Sequence, residues 1–148
     1  MTSPQLRPAA AADWPRIRDL LIDAGLPTSD LGAGRTADFL VAVDAANGVV
    51  GCVALEPLGD CGLLRSLVVD AACRGGGLAA RLVDAVVAKA RRESVGELWL
   101  LTIDAADYFA RLGFVRAPRE HAPESVRSTP EFSSLCPGSA QLMRFGID

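Results

Sequence analysis

An α+β fold, a single domain built on one mixed β-sheet, is the class this chain predicts, and three observations carry it. Residues Asp38 to Asp70 hold three apolar, β-branched runs separated by short turns, the pattern of an antiparallel meander. A strongly periodic helical stretch, GLAARLVDAVVAKARRES, follows at once. A further apolar run, ELWLLTI, comes next, so the strand–helix–strand unit 62–103 predicts a parallel pair joined by a right-handed crossover.

The 148 residues suit one domain with a sizeable core, and half of them are hydrophobic, so the chain is globular rather than disordered. LRPA (6–9) reads as a short first strand. DWPRIRDLLIDAGLP reads as a helix, with Pro15 in its first turn, Ile17, Leu20, Leu21 and Ala24 on one face, and Gly25 and Pro27 ending it. TSDLGAGRTADF is a polar loop. Asn47-Gly48 marks the first hairpin of the meander, 59–62 the second turn, and GLLRSLVVD its third strand. In the long helix Leu78, Leu82 and Val86 form one apolar row, with Ala79, Val83, Val87 and Ala90 beside it. ELWLLTI alternates little, as a strand buried on both faces does. DAADYFARLGF is a short helix stopped by Gly113, residues 118–138 read as irregular, and AQLMRFGI as the last strand.

A formal net charge of -3 argues against broad nucleic-acid binding, for which a basic patch is expected. No apolar run reaches the ~18 residues of a membrane span, and the N-terminus lacks the charged-then-apolar order of a signal peptide. The expectation is a cytoplasmic protein with no membrane and no nucleic-acid partner, a monomer or homodimer. Cys52, Cys61, Cys73 and Cys136 form no C-x-x-C pair and His121 is the only histidine, so no metal site is expected. The cysteines read as small core hydrophobes, and His121 as solvent-facing.

The chemistry concentrates in VVDAACRGGGLAARLV, 68–83. A strand gives way to a helix, and three glycines open that helix behind an arginine. N–H groups at a helix N-terminus have no internal partner and lie at the positive end of the macrodipole. Residues without Cβ let an anion approach those amides, and Arg74 adds a charge that pairs with phosphate. The spacing excludes a P-loop, G-x-x-x-x-G-K-[ST]. The preceding meander excludes a dinucleotide-binding βαβ unit, although Gly75, Gly77 and Ala80 nearly meet its G-x-G-x-x-G.

These residues resemble the R/Q-x-x-G-x-G/A signature of the GNAT acyl-CoA N-acyltransferases, matched at Arg74, Gly77 and Ala79. Ala105 to Phe114 is similar to a later segment of that family, and the resemblance covers about residues 5 to 116. It implies a strongly twisted mixed sheet with helices on both faces, whose two central parallel strands splay around acyl-CoA. It also implies acetyl-CoA as co-substrate, held by Leu67, Val68, Val69, Arg74, Gly75, Gly76, Gly77, Leu78 and Ala79, with Thr102 and Phe109 beside it. The tail, Ser125 to Met143, resembles both GNAT proteins of arsenic resistance and N-acetylglutamate-synthase-type enzymes. Both imply a small amino-acid-like amine as acceptor, an arsenic-containing amino acid in the first case and a glutamate-type substrate in the second. Direct binding of arsenic by Cys61, Cys73 and Cys136 is disfavoured by their spacing.

Acetyl transfer to an amine requires an anchored thioester, a donor for its developing oxyanion, a route for the amine proton and a leaving thiolate. A backbone N–H near Val68 or Val69 is the candidate oxyanion donor, a contact of a kind worth ~3 kcal/mol. Many GNAT members place a tyrosine as acid at the position that Phe109 holds here. Tyr108, the only tyrosine, sits one residue earlier, about 100° away on a helix. Tyr108 is therefore either a candidate acid or a packed rim aromatic, because a thiol of pKa about 8.5 leaves tolerably without help. Thr102 either contacts the co-substrate or caps the helix after it.

Arg65 and Ser66 interrupt an apolar strand. Arg65 reads as a clamp for a substrate carboxylate or oxyanion, or as the ion-pair partner of an acid such as Glu56. Strand alternation puts Arg65, Leu67 and Val69 on one face. Glu56 and Glu131 are the candidate bases, and Arg127, Ser128 and Thr129 the candidate acceptor contacts, with the loop bearing Arg35 nearby. The alternatives to a small-molecule enzyme are a non-catalytic acyl-CoA-binding sensor and a protein-modifying acetyltransferase.

Overall fold

The computed structural model describes residues 3–135 and 138–147, so the expectation for Cys136 lies outside the described residues. Strands β1 (Gln5–Pro8), β2 (Phe39–Val43), β3 (Val49–Leu58), β4 (Cys61–Val69), β5 (Glu97–Thr102), β6 (Val115–Ala117) and β7 (Gln141–Gly146) form one mixed sheet. Their hydrogen-bonded order is β1-β2-β3-β4-β5-β7-β6. The helices are α1 (Trp14–Asp23), α2 (Leu78–Arg92), α3 (Ala106–Arg111) and the short α4 (Glu124–Arg127). The chain groups into two compact units, Met1–Leu55 with Ser66–Val86, and Glu56–Arg65 with Val87–Asp148.

In the first unit, β2 runs antiparallel to both β1 and β3. The hairpin at Asn47-Gly48 forms, with a wider turn than two residues. Asn47 alone takes positive φ, 65°, and Asp44 Oδ1 accepts the N–H groups of Ala46 and Gly48 at 3.0 and 2.8 Å. A register shift between Ala42 and Val43 absorbs the extra length. The apolar face of α1, Ile17, Leu20 and Leu21, packs with Phe39, Val41 and Val68. Ile17 and Leu21 are wholly buried, and each such side chain contributes about 1.5–3 kcal/mol. On α2 the predicted row is buried, Leu82 fully, and a Cβ on Gly51 would meet Leu82 Cδ1 at 3.3 Å and the Val68 carbonyl at 3.2 Å.

In the second unit the expected parallel pair is present, with Cys61, Gly62 and Leu63 of β4 against Glu97, Leu98 and Trp99 of β5. That ladder is three residues long, whereas β5 and β7 pair antiparallel over six, from Glu97↔Gly146 to Thr102↔Gln141. Leu64 and Arg65 of β4, and Leu100 to Thr102 of β5, lie beyond the parallel ladder. The strand β6 was not expected from the sequence. It pairs with β7, which places the last strand between β5 and β6. The stretch expected to be irregular holds α4 and a π-turn at Glu131–Leu135. Gly113 ends α3 at φ 103°, and a Cβ there would lie 2.9 Å from the Phe145 ring, so only glycine lets the two approach.

Candidate active site

β4 ends at Val69, and the chain turns through Asp70 and a 3₁₀ turn at Ala71–Cys73 into Arg74-Gly75-Gly76-Gly77 before α2 begins. Gly75 and Gly77 hold φ 87° and 78°, conformations that side chains with a Cβ adopt only under strain. A Cβ on Gly75, Gly76 or Gly77 would meet no atom within 4 Å, and all three are exposed. Among the described residues no acceptor takes the N–H groups of 75–79. Open space, free donors and the positive end of a 15-residue helix thus coincide. Arg74 is exposed, and its Nε donates to the Val69 carbonyl at 3.2 Å, which ties it to the strand end.

Two charged residues that the sequence reading did not single out stand beside this loop. Arg16 of α1 pairs with Asp70 at 2.6 Å and donates from Nε to the Val49 carbonyl. The Ala72 N–H, followed by Arg16, holds the Asp70 carboxyl below the usual carboxylate range. Both line a cavity of about 240 Å³ with Leu20, Val68, Val69 and Arg74. Their only signal in sequence was a polar position on α1 and an Asp opening a turn, which any surface residue matches.

Ser66 interrupts β4 with φ 62°, rare for a residue with a Cβ. Cys52, wholly buried, donates from Sγ to the Ser66 carbonyl at 3.4 Å, and burial pushes its thiol pKa up to about 12. This kink corrects the expected shared face of Arg65, Leu67 and Val69, because strict alternation requires an unbroken pleat. Leu67 is half-buried, while Val68 and Val69 are buried.

Arg65 has no exposed side-chain surface. Its Nη1 lies 3.3 Å from Glu56 Oε1 and its Nε 3.4 Å from Glu131 Oε1. The expected pairing with Glu56 is present, and the second candidate base joins the same guanidinium. The other tail residues are turned onto their own helix. Arg127 Nη2 and Ser128 Oγ both donate to Glu124 at 3.0 Å and are exposed. Thr129 is buried, donates to the Val126 carbonyl at 2.7 Å and accepts from the Phe132 N–H at 3.3 Å. Arg35 pairs with Asp38 at 3.2 Å, and His121 is exposed.

The buried Thr102 hydroxyl accepts the Ala105 N–H at 3.0 Å and so holds the turn that leads into α3, whose own N-cap, Ala105, has no side-chain cap. Phe109 is buried edge-on to Phe114 at 5.7 Å, and Phe114 continues to Phe145 at 5.1 Å. Tyr108 is half-buried, edge-on to Phe109 at 5.6 Å, with the Arg111 guanidinium 5.8 Å from its ring centre. Among the described residues no cluster of His, Cys, Asp and Glu could hold a metal ion, and no helix is long and apolar enough to cross a membrane.

The acetyltransferase (GNAT) domain model matches residues 35–116. An amino-acid acetyltransferase of Neisseria meningitidis is 33% identical over 79 residues, 52% of this chain and 18% of the relative, so the chain spans under a fifth of the curated relatives it matches. The structure of N-acetylglutamate synthase from Neisseria gonorrhoeae, complexed with coenzyme A and N-acetyl-glutamate, superposes with a TM-score of 0.86. At 22% identity, over 100% of this chain and 36% of that one, it speaks for the fold alone. Rv2747 from Mycobacterium tuberculosis, solved in complex with CoA and NLQ, reaches 0.84 at 26% identity, covering 98% of this chain and all of that one.

Proposed function

The chain belongs to the GNAT acetyltransferase family, and from that premise we propose that residues 1–148 form a single catalytic domain that transfers acetyl from acetyl-CoA to the primary amine of a small, amino-acid-like acceptor. The transfer runs by direct attack in a ternary complex. The observation that carries the reading is the row of unclaimed amides at 75–79 behind Arg74, with nothing within 4 Å of the space above Gly75 to Gly77. A diphosphate fits there: it supplies the acceptors that those donors lack and the charge that the helix end favours.

The remaining roles follow from the chain's own groups. Leu78 is buried and fixes the start of α2 under the loop. Leu67, Val68 and Val69 supply the strand edge along which the pantetheine arm extends, and an N–H near Val68 or Val69 meets the thioester oxygen as it gains charge. Thr102 and Phe109 serve that arm by fixing the start and seat of α3. Glu56 accepts the amine proton. Arg65 orients the acceptor carboxylate through its planar fork. The departing thiolate needs no dedicated acid, and Tyr108 is a rim aromatic on Phe109.

One relative supports the acceptor class, being named an amino-acid acetyltransferase. An arsenic-containing amino acid is one member of that class. The proposal gives thiols no part in holding it, since Cys52 and Cys61 are buried and Cys52 is occupied with Ser66. The test is a panel of free amino acids and simple amines with acetyl-CoA, read as amine-dependent release of free thiol. Thiol release with amino acids is expected. Coenzyme A binding with no turnover of any amine would replace the enzyme with a sensor, and no coenzyme A binding would remove the reading altogether.

A further inference from the structure

Asp70 and Arg74 flank the 3₁₀ turn that leads into the glycines, and both line the cavity of the first unit. An acid so close to a phosphate-binding arginine is a rival for it. Asp70 is engaged elsewhere. Its Oδ1 accepts the Ala72 N–H at 3.0 Å, and its Oδ2 accepts from Arg16 Nη2 at 2.6 Å. Its backbone N–H donates to the Val50 carbonyl and its own carbonyl accepts the Cys73 N–H, both at 2.8 Å. Arg16 is fixed in turn, because its Nε donates to the Val49 carbonyl at 3.1 Å. Arg74 donates from Nε to the Val69 carbonyl, and its two Nη groups donate to no described residue. The Ala72 N–H foremost, then Arg16 and last Arg74 hold the Asp70 carboxyl below its ordinary range, so Asp70 feels the charge of both arginines.

We propose that Arg16 is a positioning residue for the co-substrate: by occupying Asp70, it keeps the Nη groups of Arg74 free for the diphosphate. The inference rests on coenzyme A binding at residues 74–79. Without Arg16, the Asp70 Oδ2 opens onto the cavity that Arg74 shares, and a carboxylate and a guanidinium placed together there pair. The diphosphate must then break that pair before it takes the guanidinium. The penalty is that of one solvent-exposed ion pair, which is modest because water and salt screen it. Arg16 acts through Asp70 and Arg74 and leaves the amides of 75–79 as they are. Arg74 and Gly75 to Gly77 are exposed, so the ligand reaches them from open solvent.

The experiment is calorimetric titration of coenzyme A into wild type, Arg16→Gln, Arg74→Gln and the double variant, with a thermal melt of each. Arg16→Gln is expected to weaken coenzyme A about threefold, the middle of the range for an exposed pair. In the Arg74→Gln background the same substitution is expected to change nothing, because no guanidinium is left to capture. Adding Asp70→Asn to Arg16→Gln should restore wild-type affinity, since asparagine still accepts the Ala72 N–H and carries no charge to hold Arg74. Asp23→Asn makes the same charge change on the same cavity and should not rescue. Four results each overturn the inference and leave coenzyme A binding standing: no loss in Arg16→Gln, an equal loss with and without Arg74, no rescue by Asp70→Asn, or equal rescue by Asp23→Asn. An equal loss without Arg74 would mean that Arg16 meets the ligand or shapes the turn itself. If wild type binds no coenzyme A, the diphosphate reading falls and this inference with it. Arg16 is exposed on α1; if Arg16→Gln lowers Tm, Arg16→Met, which keeps the apolar stem, replaces it with the same expected and overturning results.

Discussion

Gly77 separates two demands that the loop makes on one position, backbone conformation and room for a ligand. Its φ of 78° lies in the left-handed region, and a Cβ there would point into open space. Gly77→Ala therefore costs strain and no clash, roughly 1–2 kcal/mol. For a chain of this length, that is a fall in Tm of about 2–4 °C per kcal/mol. Gly77→Val costs more, because β-branched residues tolerate that region worst. Asparagine tolerates it well, so Gly77→Asn should melt near wild type. If a diphosphate lies over the loop, every one of these side chains intrudes on it, Asn as much as Ala, and coenzyme A affinity falls about tenfold or more, 1.4 kcal/mol per decade. Gly76 provides the control for space alone. It has no positive φ and nothing within 4 Å, so Gly76→Ala should leave Tm unchanged and still weaken coenzyme A. Thermal melts and calorimetric titration with coenzyme A read the two effects separately. Wild-type affinity in both Gly77→Asn and Gly76→Ala would refute the reasoning, because the loop would then need glycine for its own conformation only.

Three further outcomes are expected. Arg65→Lys keeps the charge between Glu56 and Glu131 but loses the fork, so steady-state kinetics should show acceptor KM rising at least about tenfold with acetyl-CoA KM little changed; the reverse pattern would count against the clamp. Tyr108→Phe should leave kcat within about twofold, since a thiol of pKa about 8.5 leaves unaided, and a large drop would restore Tyr108 as the acid. Cys52 should give the protein an alkaline weakness. Its thiol is neutral in the native state up to about 12 and ionises in the unfolded chain from about 8.5, so between those values the native state binds the extra proton. That contribution is complete below about pH 8.5 and lost as pH rises, about 2 kcal/mol by pH 10. Denaturant melts at pH 7 and pH 10 should show the loss in wild type, less of it in Cys52→Ala, and equal losses would sink the prediction.

Local physics made the loop legible in the chain itself. Three glycines before a periodic helix and behind an arginine describe a turn with exposed amides whatever surrounds it, and Gly75 and Gly77 adopt the positive φ that only such residues supply cheaply. The α1 and α2 faces, the meander and the parallel β4–β5 pair were likewise readable, because periodicity and turn chemistry act over a few residues. What the tertiary structure decided depends on partners distant in sequence. β7 inserts between β5 and β6, although β6 offers only three residues of pattern. Ser66 is held at φ 62°, where the wholly buried Cys52 thiol, 14 residues away, donates to its carbonyl. Arg65 meets Glu131 from 66 positions along the chain, and nothing near either residue announces the other. A charge inside a strand requires a partner, since an unpaired buried guanidinium is too costly to keep. Only the folded tail could say which acid supplied it.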